Sequence, residues 1–161
     1  MIYVDIVSDT ICPWCYIGKC RFERALEQSG RTDVAVAWRP FQLNPDMPVE
    51  GMTRDDYVRA KFGGGDRPRQ IYQAIAESGR EAGIEFQFSR IKRTPNTVLS
   101  HRLVHWSAKS ERQDEVVAEL FNGAHGKAAR TQGAKQHRVG GGWKAVAVGK
   151  DDHEAANFLR V

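Results

Sequence analysis

Two cysteines set the strongest constraint on this chain. Cys12-Pro13-Trp14-Cys15 stands directly after the apolar run Ile2 to Val7, which is rich in β-branched residues and reads as a buried strand. Between them lies Ser8-Asp9-Thr10, a cluster of residues suited to capping a helix. Pro13 fits the first turn of a helix, where its missing N–H costs nothing. The spacing then predicts a helix from the cysteines to about Gln28, with Gly30 as its stop. Val34 to Arg39 alternates loosely and reads as a second strand. A strand, a helix and a second strand in this order predict an α/β fold whose first unit is βαβ.

The position of the cysteine pair gives it chemistry. A helix N-terminus presents free N–H groups and positive dipole character, and both favour a thiolate over a thiol. In such sites the first cysteine's pKa falls from about 8.5 into the range ~3.5 to 7.5. Cys12 is therefore the expected nucleophile and Cys15, one turn in and more buried, the resolving thiol. Pro13 and Trp14 shape the turn, and Trp14 also offers an apolar contact. Two further readings stay open. The pair is half of a zinc site if two more ligands join it, and His101 and His105 at i, i+4 are a candidate second half. Otherwise the thiols are inert. Cys20 is expected to be a small core residue, because it lies about 7.5 Å beyond Cys15 along a continuous helix, too far for a disulfide. All three cysteines fall within nine positions, unlike the dispersed pattern of an extracellular disulfide framework.

Beyond the second strand, Pro40, Pro45 and Pro48 break regular structure. Helices are predicted from Thr53 to about Phe62 and from Pro68 to about Ala82, with Ile71, Ala74, Ile75 and Ser78 on one side of the second. Ile84 to Phe88 alternates as a short extended piece. Another helix starts at Pro95-Asn96-Thr97, with Leu99, Leu103 and Trp106 on one apolar stripe, and a last one spans Asp114 to Phe121. Gly63-Gly64-Gly65 lacks the Lys-Ser/Thr ending of a phosphate loop. His101 and His105 are read as surface or half-buried helix residues, and Arg90, Lys92 and Arg93 as a solvated patch.

The last forty residues differ in kind. Residues 122–161 carry seven Lys and Arg against three Asp and Glu, which accounts for the whole net charge of +4. Seven of these forty are glycine, and periodicity fades except at Val146, Val148 and a short helical stretch near Glu154 to Leu159. The basic residues carry no nucleic-acid motif, so no specific nucleic-acid partner is expected. No apolar run reaches the ~18–20 residues of a membrane-spanning helix. The first residues have no basic n-region, which predicts a cytoplasmic protein without a membrane partner.

The stretch Val7-Ser-Asp-Thr-Ile-Cys-Pro-Trp-Cys-Tyr-Ile-Gly-Lys19 resembles the DsbA-like thioredoxin-fold oxidoreductases. The similarity is greatest to the FrnE subgroup, grouped with 2-hydroxychromene-2-carboxylate isomerase-like proteins. Trp38-Arg-Pro-Phe-Gln-Leu-Asn-Pro45, Met52 to Phe62 and Thr94-Pro-Asn-Thr-Val-Leu-Ser-His-Arg-Leu103 carry the same resemblance, which covers residues 2 to about 121. It implies a thioredoxin-like βαβ start over residues 1–52 and a helical insertion over 53–121. It also implies disulfide exchange at Cys12 and Cys15. Serine holds the first position in the isomerase and kappa-class glutathione transferase relatives, so Cys12 favours redox work.

In such a family the chain returns to the sheet through a loop with a cis-proline. Here no proline follows Pro95. The basic glycine-rich tail at 122–161 therefore reads as a truncated or frame-shifted end, with the second ββα half incomplete. The functional expectation is a thiol–disulfide oxidoreductase. Its substrates would be protein or small-molecule disulfides, with no bound cofactor, glutathione as a co-substrate, and homodimer formation through the insertion. The alternatives are a glutathione-dependent transferase or isomerase, and a non-enzymatic zinc or interaction module.

Overall fold

The computed structural model describes residues 1–125. The expected βαβ unit is present. Strand β1 (Ile2–Ser8) leads into helix α1 (Pro13–Ser29), and strand β2 (Val34–Pro40) returns parallel to β1, pairing Ile2 with Val34 through Ser8 with Pro40. Gly30 ends α1 in the left-handed conformation at φ 62°, a backbone state that glycine adopts without strain.

A second ladder was not foreseen. Strand β3 (Met52–Thr53) pairs antiparallel with strand β4 (Arg93–Thr94), closing the chain around helices α2 (Arg54–Phe62) and α3 (Arg67–Glu81). Two-residue strands carry too little periodicity to be read from sequence. Gly51 makes the ladder possible: its φ is 73°, and a Cβ there would lie 2.4 Å from the Thr94 carbonyl oxygen. Thr53 caps α2 as expected, its hydroxyl accepting the Asp56 N–H at 3.2 Å.

Helices α4 (Val98–Ser107) and α5 (Gln113–His125) complete the described chain. The start of α5 covers the edge of β2. Gln113 Oε1 accepts the Trp38 N–H at 3.0 Å, its Nε2 donates to the Trp38 carbonyl at 3.3 Å, and Trp38 Nε1 donates to Asp114 Oδ1 at 2.5 Å. A side-chain amide thus stands in for a neighbouring strand and satisfies backbone groups that an edge would leave open. The core lies between α1, β2, α4 and α5. Phe121 is its centre, fully buried, stacked on Tyr16 at 5.1 Å and edge-on to Trp38 at 6.4 Å.

Two local expectations are corrected. Ile84 to Phe88 is not extended strand: the Ile84 N–H donates back to Gly79 O at 2.8 Å, and Phe88–Arg90 forms a 3-10 turn. The alternation there has a packing cause, since Ile84, Phe86 and Phe88 join the core while Glu85 is exposed. The stripe of Leu99, Leu103 and Trp106 faces away from the core, and α4 buries His101, Val104 and Ser107 instead. The residues read as tail, including Val146, Val148 and the stretch near Glu154 to Leu159, lie outside the described residues apart from 122–125, which extend α5 past the predicted end at Phe121.

Candidate active site

Cys12 is the N-cap of α1, with extended backbone at φ −85° and ψ 112°, and Pro13 occupies the first helical position. Its sulfur accepts the Cys15 N–H at 3.4 Å, the role a serine or aspartate oxygen usually plays at this position. The Cys12 thiol is lowered to about 7. The Cys15 thiol hydrogen bond to it is the largest cause, and the N–H groups of Cys15 and Trp14 add to it. Burial and the Asp9 charge oppose this shift. The Cys15 thiol moves strongly the other way, because its proton is committed to the Cys12 sulfur and because it is buried. Both sulfur residues are half-buried, so burial does not separate their roles as the sequence suggested. The direction of the hydrogen bonds does. They favour the thiolate at Cys12 over one at Cys15.

Trp14, next to Cys12 in the sequence of the turn, projects into solvent, 51% exposed. Cys20 packs half-buried against the core, as expected, and its thiol is pushed up mainly by burial. Among the described residues no group of three or more His, Cys, Asp or Glu side chains is placed to hold a metal ion.

Sequence reading placed His101 at the surface or half-buried, with no carboxylate beside it. The structure corrects this: His101 is buried, and its Nε2 lies 3.3 Å from Oδ1 of Asp9. His105 is exposed. Asp9, noted at first only as a capping residue type, is the most enclosed polar group of the site. Its Oδ2 accepts the Leu43 N–H at 2.8 Å and its Oδ1 the Ile11 N–H at 3.4 Å.

Thr10 and Ser100 share a hydrogen bond at 2.7 Å, and Ser100 in turn donates to Thr97 O at 2.8 Å. Asn96 donates to Met47 O at 2.7 Å while its Oδ1 accepts the Val98 N–H at 2.9 Å. Three stretches far apart in sequence, around residues 9, 43 and 100, thus meet under the cysteine turn. The available signal was that all three fall within motifs that carried the family resemblance. A separate apolar cleft of about 340 Å³, lined by Leu103, Trp106, Ser107, Ser110, Arg112 and Val116, includes neither cysteine.

Comparison with known proteins agrees with this architecture. An uncharacterised protein of Bacillus subtilis, YwbO, is 25% identical over 123 residues, which cover 74% of this chain and 54% of the relative. The crystal structure of a probable DsbA oxidoreductase from Streptomyces coelicolor superimposes with a TM-score of 0.69 at 27% identity, covering 78% of this chain and 54% of that one. The chain thus spans about half the length of the relatives it matches. The model of the DsbA-like thioredoxin domain matches residues 3–156, beyond the point where the motifs alone carried the likeness. With a thioredoxin-like α/β fold and a family match over nearly its whole length, the chain belongs to the DsbA-like thioredoxin domain family.

Proposed function

We propose that this chain is a thiol–disulfide oxidoreductase working through Cys12 and Cys15. One observation carries the reading: Cys12 caps α1 with its sulfur accepting the Cys15 N–H, and its thiol is lowered to about 7 while that of Cys15 is raised. A thiol with a pKa near the ambient pH combines a large thiolate fraction with retained nucleophilicity, which suits it to attack a disulfide.

In the reducing direction the Cys12 thiolate attacks one sulfur of a substrate disulfide, forms a mixed disulfide and releases the other substrate sulfur as a thiolate. Cys15 then attacks the Cys12 sulfur. The Cys15 proton passes to the departing sulfur, which leaves as a thiol, and solvent supplies the proton that converts the first substrate thiolate to a thiol. The chain ends with a Cys12–Cys15 disulfide and the substrate with two thiols. Oxidation of a dithiol runs the same steps backwards. Exposed Trp14, Phe41 and Leu43 supply apolar contact for a disulfide-bearing protein or small molecule.

The finer reading is a FrnE-like cytoplasmic enzyme without a bound cofactor, using glutathione as a co-substrate and dimerising through its helical insertion. Cysteine at position 12 favours redox chemistry over glutathione-dependent isomerisation or transfer.

The test is a redox equilibrium of the 161-residue chain in graded glutathione buffers, with free thiols trapped and counted by mass. Cys12 and Cys15 are expected to oxidise together in one window, and Cys12→Ser to abolish it. Absence of a two-thiol transition in the unmodified chain would sink the oxidoreductase reading. Glutathione-dependent isomerisation surviving Cys15→Ser would replace it with the isomerase one.

A further inference from the structure

The carboxylate of Asp9 is buried where a neutral capping group would also close the turn. Its side chain has no exposure to solvent. Burying a charge costs several kcal/mol unless it is well compensated. The compensation here is partial. Two N–H groups reach the carboxylate, from Leu43 at 2.8 Å and from Ile11 at a long 3.4 Å. His101 Nε2 approaches to 3.3 Å but lies off the axis a hydrogen bond requires, and it has no hydrogen-bond partner among the described residues.

The backbone of the same residue holds the start of the cysteine turn. The Asp9 carbonyl accepts the Cys12 N–H at 3.0 Å. Asp9 therefore ties down Cys12 and sets a buried carboxylate in the same turn, against the Ile11 N–H. That charge acts against ionisation of each thiol. The groups facing it are Cys12 and Cys15 at the start of α1, His101 from α4, and the Leu43 N–H from the loop after β2.

We propose that Asp9 is a positioning residue that ties the cysteine turn to the Leu43 loop and, through its buried carboxylate, biases the Cys12–Cys15 couple toward the disulfide. The inference rests on the oxidoreductase reading above and deepens it. Reduction of the disulfide by two glutathione molecules gives a dithiol and one oxidised glutathione. The Cys12 thiolate exists only on the reduced side. A neighbouring negative charge raises the free energy of that side, so the disulfide gains population and the couple becomes more reducing.

The test is Asp9→Asn in the full chain, which keeps the shape and one acceptor oxygen and removes the charge. Three quantities are measured: the pH profile of Cys12 alkylation by iodoacetamide, the glutathione equilibrium constant, and the thermal unfolding curve. With the fold retained, the alkylation midpoint is expected to move to lower pH. The glutathione equilibrium should shift about three- to ten-fold toward the dithiol, the size expected for a charge effect of up to one pKa unit. A folded variant with both quantities unchanged overturns the proposal. So does a midpoint moving upward, which loosening of the turn alone would give.

If the variant does not fold, the unmodified chain provides the second test. The Asp9 carboxyl carbon resonance should inflect at the pH where Cys12 titrates, and Cys12→Ser should remove that inflection. Its absence from the unmodified chain overturns the proposal. A couple missing from the unmodified chain instead removes the functional reading itself, so the two failures are distinguishable.

Discussion

Helices α1 and α4 both contribute to the cysteine site, and they bury different mixtures of residue. Helix α1 buries Tyr16, Ile17 and Lys19 and packs Cys20 against the core. Helix α4 buries His101 and Ser107 beside Val104, with Thr97 buried just before it, and leaves Leu99 73% and Trp106 61% exposed. Leu99, Leu103 and Trp106 centre roughly 130° around the helix from His101, Val104 and Ser107. Burial on α4 therefore follows what lies opposite rather than hydrophobicity. The facing surface is the β1–α1 turn, whose Asp9 and Thr10 are themselves buried and polar. A buried polar turn needs polar partners, and α4 supplies them through Ser100 and His101. The face of α1 makes a core, whereas the face of α4 shapes a site.

The sharpest way to break this contrast is at the cysteines. Cys12→Ser is expected to remove disulfide exchange completely while the unfolding curve stays close to that of the unmodified chain. Cys15→Ser should leave Cys12 able to form a mixed disulfide that is not resolved, visible as an added glutathione mass.

In the core, Phe121→Ala should cost about 3–5 kcal/mol in chemical denaturation, because a fully enclosed ring is removed from its stack on Tyr16. An effect under 1 kcal/mol would place the core elsewhere.

Acid should act through His125 at the end of α5. This side chain is buried among Tyr16, Phe86 and Phe121, neither ring nitrogen has a partner among the described residues, and burial lowers its pKa to about 4, with the positive charge of Arg54 a lesser cause. A histidine in the unfolded chain titrates near 6.5. The folded value lies below the unfolded one, so folding favours the neutral ring. That contribution is complete above about pH 6.5 and is lost as pH falls toward 4, amounting to at most about 3 kcal/mol. Unfolding midpoints between pH 7 and 4 should fall accordingly, and His125→Phe should flatten the slope.

Gly51→Ala, at a left-handed φ with the Thr94 oxygen in the way, should cost about 1–3 kcal/mol. On the outer face of α4, Leu99→Ser should change stability by less than about 0.5 kcal/mol, whereas a core position would lose several.

The cysteine turn was legible because its signals are local. Cap residues, Pro13 at the first helical position, Gly30 as a stop and the β-branched run before them each carry a mechanism that acts within a few residues. Helices α2 and α3 were legible for the same reason, through Thr53 and the glycines after Phe62. Asp9, His101, Ser100 and Leu43 were quoted in motifs but had no readable role, since no spacing rule joins residues 34 or 90 positions apart. The β3–β4 ladder escaped notice because pairing between two dipeptides depends on Gly51 bringing two backbones together. The alternation at Ile84 to Phe88 misled because three apolar side chains reaching a core from a loop look the same as a strand.

By itself, the sequence determined the βαβ start, the thiol pair at a helix mouth and the order of the helices, because these follow from backbone propensity and periodicity within one element. Only the tertiary structure decided which face of α4 is buried, which carboxylate lies in the cysteine turn and which sulfur accepts the N–H of the other cysteine. Those outcomes depend on desolvation and on hydrogen-bond direction between elements, which come into being when the elements pack.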